Sequence, residues 1–408
     1  MNNARAARHR EFYYQHLMAM LPQGVRWFWP DAPFYTGYEH PILFDWDQYF
    51  EGIILVYAGY PCDYIKNGVK LFLRLQEKDG FIPRFAIATV GERRRARDMV
   101  KPFLTQSVLL AYHQEKSLAW LKEEDLYERL AKYLDCWYHR FDVRGGGLSV
   151  WMDAGHTGMD NQHERAGGRG RPENVCEGVD LNAYLVREAR AMSILAQLLG
   201  KEQDRRRFEE WAEQRARTIR EACWDEAEGL FYDYHAVEKR PIRVKHVGAF
   251  ATLWAGVATP RQAQRLVKEH LLNEKEFQRP WPIPALAASE LGYVEGFLPT
   301  DSTGCCSWRA HTWMPTNYYT FQGLRRYGFS AEALQLAEKS FDLFLFAPFS
   351  EYYATESGIG TGRKPFRGWT ALALFMENEH DLGVDPTELL SENGAGQVVR
   401  RHYVEEYR

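Results

Sequence analysis

The chain lacks paired cysteines, a long apolar run and a surplus of charge of either sign, and each absence closes off a class of protein. Its six cysteines (Cys62, Cys136, Cys176, Cys223, Cys305 and Cys306) include no C-x-x-C pair and no histidine at zinc spacing, which argues against a structural zinc site. Free, buried thiols in a reducing compartment are the simpler reading, and nothing near the adjacent Cys305 and Cys306 favours redox chemistry. No stretch approaches the roughly 20 apolar residues of a membrane span. The N-terminus is polar and charged through Arg10, without the apolar segment of a secretion signal. A cytoplasmic protein with no membrane partner is therefore expected. A formal net charge of -4 over 408 residues, with both signs interspersed, supplies no field that would draw nucleic acid.

What is present is apolar and aromatic. The hydrophobic fraction of 45% is enough for a large core, and 14% of residues are aromatic, 13 of them Trp. Such rings fill the space between large helices and also stack against sugars. Apolar residues recur at helical spacing over 64–75, 104–112, 126–138, 181–199, 208–223, 261–272, 317–327 and 331–344. Several of these runs lead into Gly or Pro turns beside aromatic or apolar residues, as at Gly80-Phe81-Ile82-Pro83, Gly229-Leu230-Phe231-Tyr232 and Pro280-Trp281-Pro282. The endings recur about every 50 to 80 residues, the length of a helical hairpin with its loop. Repeated hairpins must extend as a solenoid or close on themselves. Irregular intervals and long aromatic loops predict closure: an all-α barrel of helical hairpins, with the loops gathered at one mouth. Residues 1–380 read as one catalytic domain and 381–408 as a C-terminal appendage.

Three loops concentrate carboxylates, aromatics and glycines where a plain connection needs only a turn. In Phe44-Asp45-Trp46-Asp47-Gln48, the acidic residues taken alone read as a helix N-terminus. In the stretch from Trp151 through Gly155-His156-Thr157-Gly158-Met159-Asp160-Asn161, glycines near Asp160 permit close approach of a ligand. The neighbouring Trp and Met supply an apolar wall that raises a carboxyl pKa, as a proton donor requires. Asp180, ahead of a helical run, reads first as a cap. The third loop, Ser350-Glu351-Tyr352-Tyr353-Ala354-Thr355-Glu356, opens into glycines and offers a base opposite Asp160. Inverting glycoside hydrolysis uses two carboxyls roughly 6.5 to 9.5 Å apart with water between them, and loops this distant in sequence meet only if the fold closes.

Taken in order, several motifs resemble glycoside hydrolase family 63, above all its compact bacterial members of the mannosylglycerate and glucosylglycerate hydrolase type. They are Trp46-Asp47, Trp151 with Gly158-Met159-Asp160-Asn161, Val179-Asp180-Leu181-Asn182-Ala183-Tyr184, Trp224 with Gly229-Leu230-Phe231-Tyr232, Trp308-Arg309 with Trp313 and Asn317-Tyr318, and Glu351-Tyr352 ahead of Gly368-Trp369-Thr370. The resemblance implies an (α/α)6 toroid, inversion at an α-glycosidic bond, a small glycoside as partner, and no metal or cofactor. It puts the general acid at Asp160 and the general base at Glu351, with Glu356 as rival base. Trp46, Asp47, Gln106, Arg309 and Trp313 fall on ring-binding positions, and Trp151, Asp180 and Trp369, within the matched motifs, complete the substrate-binding set. The chain departs from the family at His156-Thr157, where a Glu-Ser pair is usual, and at Arg84, where His is frequent.

Two arginine-rich stretches, 92–97 and 165–171, read as solvated surface. Folded over a pocket, they would instead recognise an anionic aglycone such as glycerate. Three other readings stay open. A sugar epimerase on the same barrel type would rely on His113, His156, His246 or His311. A trehalase-like α-glucosidase would share the carboxylate pair. A binding protein on a hydrolase scaffold would need neither.

Overall fold

The computed structural model describes residues 3–29, 32–87, 98–168, 173–298 and 306–390. All eight stretches with helical spacing are helical over most of their length. We label the principal helices α1 (Asn3–Glu11), α2 (Asp45–Tyr57), α3 (Asp63–Arg74), α4 (Leu104–Glu115), α5 (Leu126–His139), α6 (Val179–Leu198), α7 (Glu202–Ala222), α8 (Ala251–Trp254), α9 (Pro260–Arg265), α10 (Met314–Arg326), α11 (Ser330–Phe346) and α12 (Met376–Leu382). Between them lie five small antiparallel sheets of two or three strands among the described residues, so the chain is helix-rich rather than strictly all-α.

Helices α2, α4, α6, α8 and α10 each pack on the next. Helix α10 packs on the 3-10 segment Trp369–Leu374, which packs in turn on α2. Every one of the 13 residues of α2 is buried, because it has neighbours on all sides. Its apolar residues therefore make no stripe. Helices α3, α5, α7 and α11 lie outside this series against its members or against one another. They carry the amphipathic pattern that the sequence displays.

The ends of the chain are joined by polar contacts. In α12 the buried Glu379 accepts hydrogen bonds from Tyr57 of α2 and from Tyr318 (2.7 Å) and Gln322 of α10. Burial raises its pKa to about 7. Arg5 of α1 pairs with Glu377, and His9 stacks on Phe341 at 3.5 Å. The segment after α12, assigned from sequence to an appendage, is tied to the helices wherever it is described. Trp254 Nε1 donates to Thr387 Oγ1 (2.9 Å), Arg187 Nη2 to the Thr387 carbonyl (2.5 Å) and Arg325 Nη1 to the Val384 carbonyl (2.7 Å). Residues 391–408 of that segment lie outside the described residues.

Two of the small sheets shape one end of the molecule. Ile42–Phe44 pairs with Phe85–Ile87, which sets the start of α2 beside Arg84. His311–Thr312 pairs with Tyr352–Ala354 and that strand with Gly360–Thr361, which sets Trp308 and Trp313 beside Glu351. No helix among the described residues is long and apolar enough to cross a membrane.

Burial also dictates a pH response. It lowers the pKa of His156 to about 3 and those of His113 and His311 to about 4. The unfolded chain, with histidines near 6.5, takes up these protons first. The histidine contribution to stability is therefore complete above about pH 6.5 and is lost as pH falls toward 4. Glu379 acts oppositely, since its raised pKa favours the folded state at low pH. Removing one such histidine, as in His156→Gln, is expected to lower the slope of unfolding free energy against pH between pH 4.5 and 6 by about 1.4 kcal/mol per pH unit. Urea titrations at four pH values check this, and an unchanged slope contradicts it.

Candidate active site

The loops at that end enclose a cavity of about 530 Å³, whose walls include Asp47, Asp160, Glu351, Trp308, Trp313 and Trp369. The carboxylates come from three stretches more than a hundred residues apart. Trp308 and Trp313 stack at 3.9 Å and 6°, Trp313 and Tyr352 at 4.4 Å and 12°, and Trp46 lies 5.6 Å from Trp308. Such a wall offers flat apolar faces to a sugar ring, and the carboxylates offer acceptors to its hydroxyls.

Asp160 follows a turn that needs glycine at Gly158, where φ is +82° and a Cβ would press on Lys101 and Trp46 at 3.1 Å. The next residue anchors the Asp160 loop across the cavity wall. Asn161 Oδ1 accepts from the Trp308 amide (2.8 Å), and its carbonyl accepts from Arg309 Nη2 (2.9 Å). Behind the loop, His156 Nε2 donates to the Met99 carbonyl (2.9 Å), and its Nδ1 accepts from the Met152 amide (3.2 Å). His156 is thus a neutral brace. Thr157 closes the same turn by accepting from the Met159 amide.

Glu351 is held from both sides. Tyr38 donates to Oε1 (2.8 Å) and the Arg363 amide to Oε2 (2.9 Å), while Trp369 Nε1 donates to its carbonyl (3.1 Å). Gly362, at φ +73°, leaves room for this carboxylate, since a Cβ there would stand 2.5 Å from Oε2. Burial and the carboxylate of Glu351 raise the Tyr38 pKa, keeping that hydroxyl a donor. Asp47 is 3% exposed, and burial followed by the neighbouring Asp45 pushes its pKa well above the usual carboxylate range. Asp45 itself is held low: Lys101 and Arg84 outweigh its burial, with Lys101 Nζ at 3.1 Å.

Five of the residues named from the sequence do not line the cavity. Gln106 is 2% exposed and lies among the helices: it accepts from Arg187 Nε (2.9 Å) and donates to Glu188 (3.2 Å) and the Pro102 carbonyl (2.8 Å), away from the cavity. Trp151 Nε1 donates to Asp180 Oδ1 (2.8 Å). Asp180 pairs with Arg165 at 2.9 Å within a fully buried cluster that includes Asp233 at 2.7 Å. Neither Trp151 nor Asp180 reaches the cavity. Arg309 clamps Asn161 and Glu164 (2.9 Å) rather than a ring. Glu356 pairs with Arg279 (2.6 Å) and accepts from Tyr293 (2.6 Å), outside the cavity, and its pKa is lowered chiefly by Arg279. Arg165 is likewise internal, so the surface reading of 165–171 fails there, while 92–97 and 169–171 lie outside the described residues. None of His113, His156, His246 and His311 lines the cavity.

The buried cluster carries an expected outcome. Arg165→Met leaves Asp180 and Asp233 without their common cation and should cost about 3 to 5 kcal/mol of stability. Chemical denaturation measures this, and a loss below about 1 kcal/mol would contradict the pairing.

The model of the mannosylglycerate hydrolase MGH1-like glycoside hydrolase domain matches residues 40–370. The chain belongs to this family. Its matched span contains every cavity residue named above except Tyr38. A curated mannosylglycerate hydrolase from Thermus thermophilus is 30% identical over 197 residues, covering 48% of this chain and 44% of the relative. One from Rubrobacter radiotolerans is 28% identical over 49% of this chain and 43% of its own length. The matched stretches thus span less than half of these relatives. In fold, the chain is similar to the crystal structure of the family-63 mannosylglycerate hydrolase of Thermus thermophilus in complex with glucose: TM-score 0.72, 22% identity, covering 90% of this chain and 99% of that one.

Tyr38, Arg363 and Cys306 are site residues that the sequence did not announce as such. Tyr38 belongs to an aromatic stretch without a chemical motif, Arg363 acts on Glu351 through its backbone, and the half-buried Cys306 lies 3.7 Å from Glu351. Among the described residues, no three His, Cys, Asp or Glu side chains are grouped to hold a metal ion.

Proposed function

We propose that the protein is an inverting, exo-acting glycoside hydrolase that cleaves an α-glucoside or α-mannoside of a small, anionic aglycone, on an (α/α)6 toroid. The observation that carries the reading is the opening of Asp160 and Glu351 onto one aromatic-walled cavity. Asp160 donates its proton to the glycosidic oxygen as the bond breaks. Glu351 draws a proton from the water that attacks the anomeric carbon from the other face. The stacked Trp308 and Trp313 hold the ring, and Asp47 accepts from its hydroxyls. The series from α2 through α10 to Trp369–Leu374, ending against α2, supports the toroid. Arg84 and Arg363 on the cavity wall support an anionic aglycone. The free thiols of the described residues support a reducing, cytoplasmic compartment.

A trehalase-like reading has support from cytosolic neutral trehalases, one of them from Beauveria bassiana at 31% identity over 31% of this chain and 16% of its own length. Initial rates on mannosylglycerate, glucosylglycerate and trehalose separate the two. Faster turnover of a glycerate glycoside than of trehalose, by at least tenfold in kcat/KM, is expected, and the reverse order overturns the anionic aglycone.

A further inference from the structure

Arg84 follows the Ile82-Pro83 turn and lines the cavity together with Asp160. Its Nη1 donates to the Gly155 carbonyl, inside the loop that carries Asp160. Nε lies 3.8 Å from Asp45 Oδ2, and Nη1 lies 3.8 Å from Asp98 Oδ2. An arginine does not surrender its charge in a protein, so a permanent cation stands in the acid's wall of the cavity.

We propose that Arg84 is a positioning residue for Asp160: it fixes the acid's loop through Gly155, and its charge weakens the acid's hold on the proton it delivers. The proposal rests on the role given to Asp160 above. Among the described residues, the charged and titratable groups around the acid are Arg84 from the turn after α3, Lys101 beneath Gly158, Asp45 and Asp47 from the start of α2, Asp98 beside Arg84, and His40, Glu351 and Arg363 on the same cavity. Lys101 is engaged by Asp45 at 3.1 Å, whereas Arg84 approaches Asp45 and Asp98 only to 3.8 Å. Nε makes no hydrogen bond among the described residues. Of Arg84 and Lys101, Arg84 is thus the less closely matched. Burial opposes the charge of Arg84, but Asp45 and then Asp160 more than compensate and raise its pKa. The attraction that favours the charged guanidinium equally favours the ionised carboxylate of Asp160.

The consequence is an alkaline edge of activity set by residue 84. Carboxyl 13C NMR of aspartate-labelled protein, with Asp160 assigned through D160N, reads it directly. In Arg84→Gln the Asp160 midpoint is expected to rise by at least about one pH unit, a tenfold gain in proton affinity. In Arg84→Lys it should move by no more than about a third of that. Arg84→Met, uncharged at every pH, provides a second neutral variant should the glutamine fail to fold. The alkaline limb of kcat/KM moves with the NMR midpoint. An unmoved midpoint in the neutral variants, or an equal shift in the lysine variant, overturns the proposal. A shifted midpoint in protein that hydrolyses no glycoside would uphold the pairing and remove the hydrolytic reading instead, so the two failures are distinct.

Discussion

Asp160→Asn is expected to lower kcat/KM on a natural α-glycoside by about 10² to 10⁴-fold, the range that a positioned general acid contributes. The substitution keeps the size and shape of the side chain. Because Asp160 is only half-buried, its melting temperature should stay near that of the parent. The loss should depend on the leaving group. A glycosyl fluoride, whose departing fluoride needs little protonation, should be hydrolysed by D160N at a rate much nearer the parent's. Equal losses on fluoride and glycoside would remove Asp160 from the acid's role, and a large drop in melting temperature would assign the effect to folding.

Glu351→Gln should also cost about 10² to 10⁴-fold, but without that dependence, because water must be deprotonated whichever group leaves. The glutamine oxygen can accept from the Arg363 amide while its NH2 donates to Tyr38, whose hydroxyl turns to accept, so the variant tests charge rather than packing. Glu356→Gln is the control. It weakens an ion pair with Arg279 in which the carboxylate is 34% exposed, a contact of small energetic value, and activity should stay within about threefold. A large loss in E356Q with little in E351Q would reverse the assignment of the base.

Outer helices and turns were legible in the sequence because one face of α3, α5 or α7 meets water and leaves a periodic stripe. Helix α2 was not, since all 13 of its residues are buried. Only its acidic start, Asp45 and Asp47, announced it, and then as a cap. The short inner pieces Ala251–Trp254 and Trp369–Leu374 are four and six residues long, below what periodicity resolves.

Of the motif residues named from the sequence, Trp46, Asp47, Asp160, Trp313, Glu351 and Trp369 line the cavity. Gln106, Trp151, Asp180 and Arg309, in equally prominent motifs, do not line it. Gln106 bonds to Arg187 and Glu188, 81 and 82 residues on, and Trp151 meets Asp180 and Arg165 through a buried ion pair. A polar residue that braces the acid and one that touches the sugar look alike until the long-range partners are known. Arg309 illustrates the point, since it holds Asn161, the residue after Asp160, without lining the cavity itself.

The central claim is that Asp160 and Glu351 act across one cavity by single displacement. It is tested most directly by following the anomeric protons in NMR as the protein meets mannosylglycerate, glucosylglycerate, trehalose, kojibiose and nigerose. The account predicts that at least one of these α-glycosides releases the β-anomer first, with α-sugar appearing only by mutarotation, and that D160N releases neither. Initial release of the α-anomer, undiminished turnover by D160N, or an unchanged panel accompanied by epimerisation of an N-acetylhexosamine would contradict it.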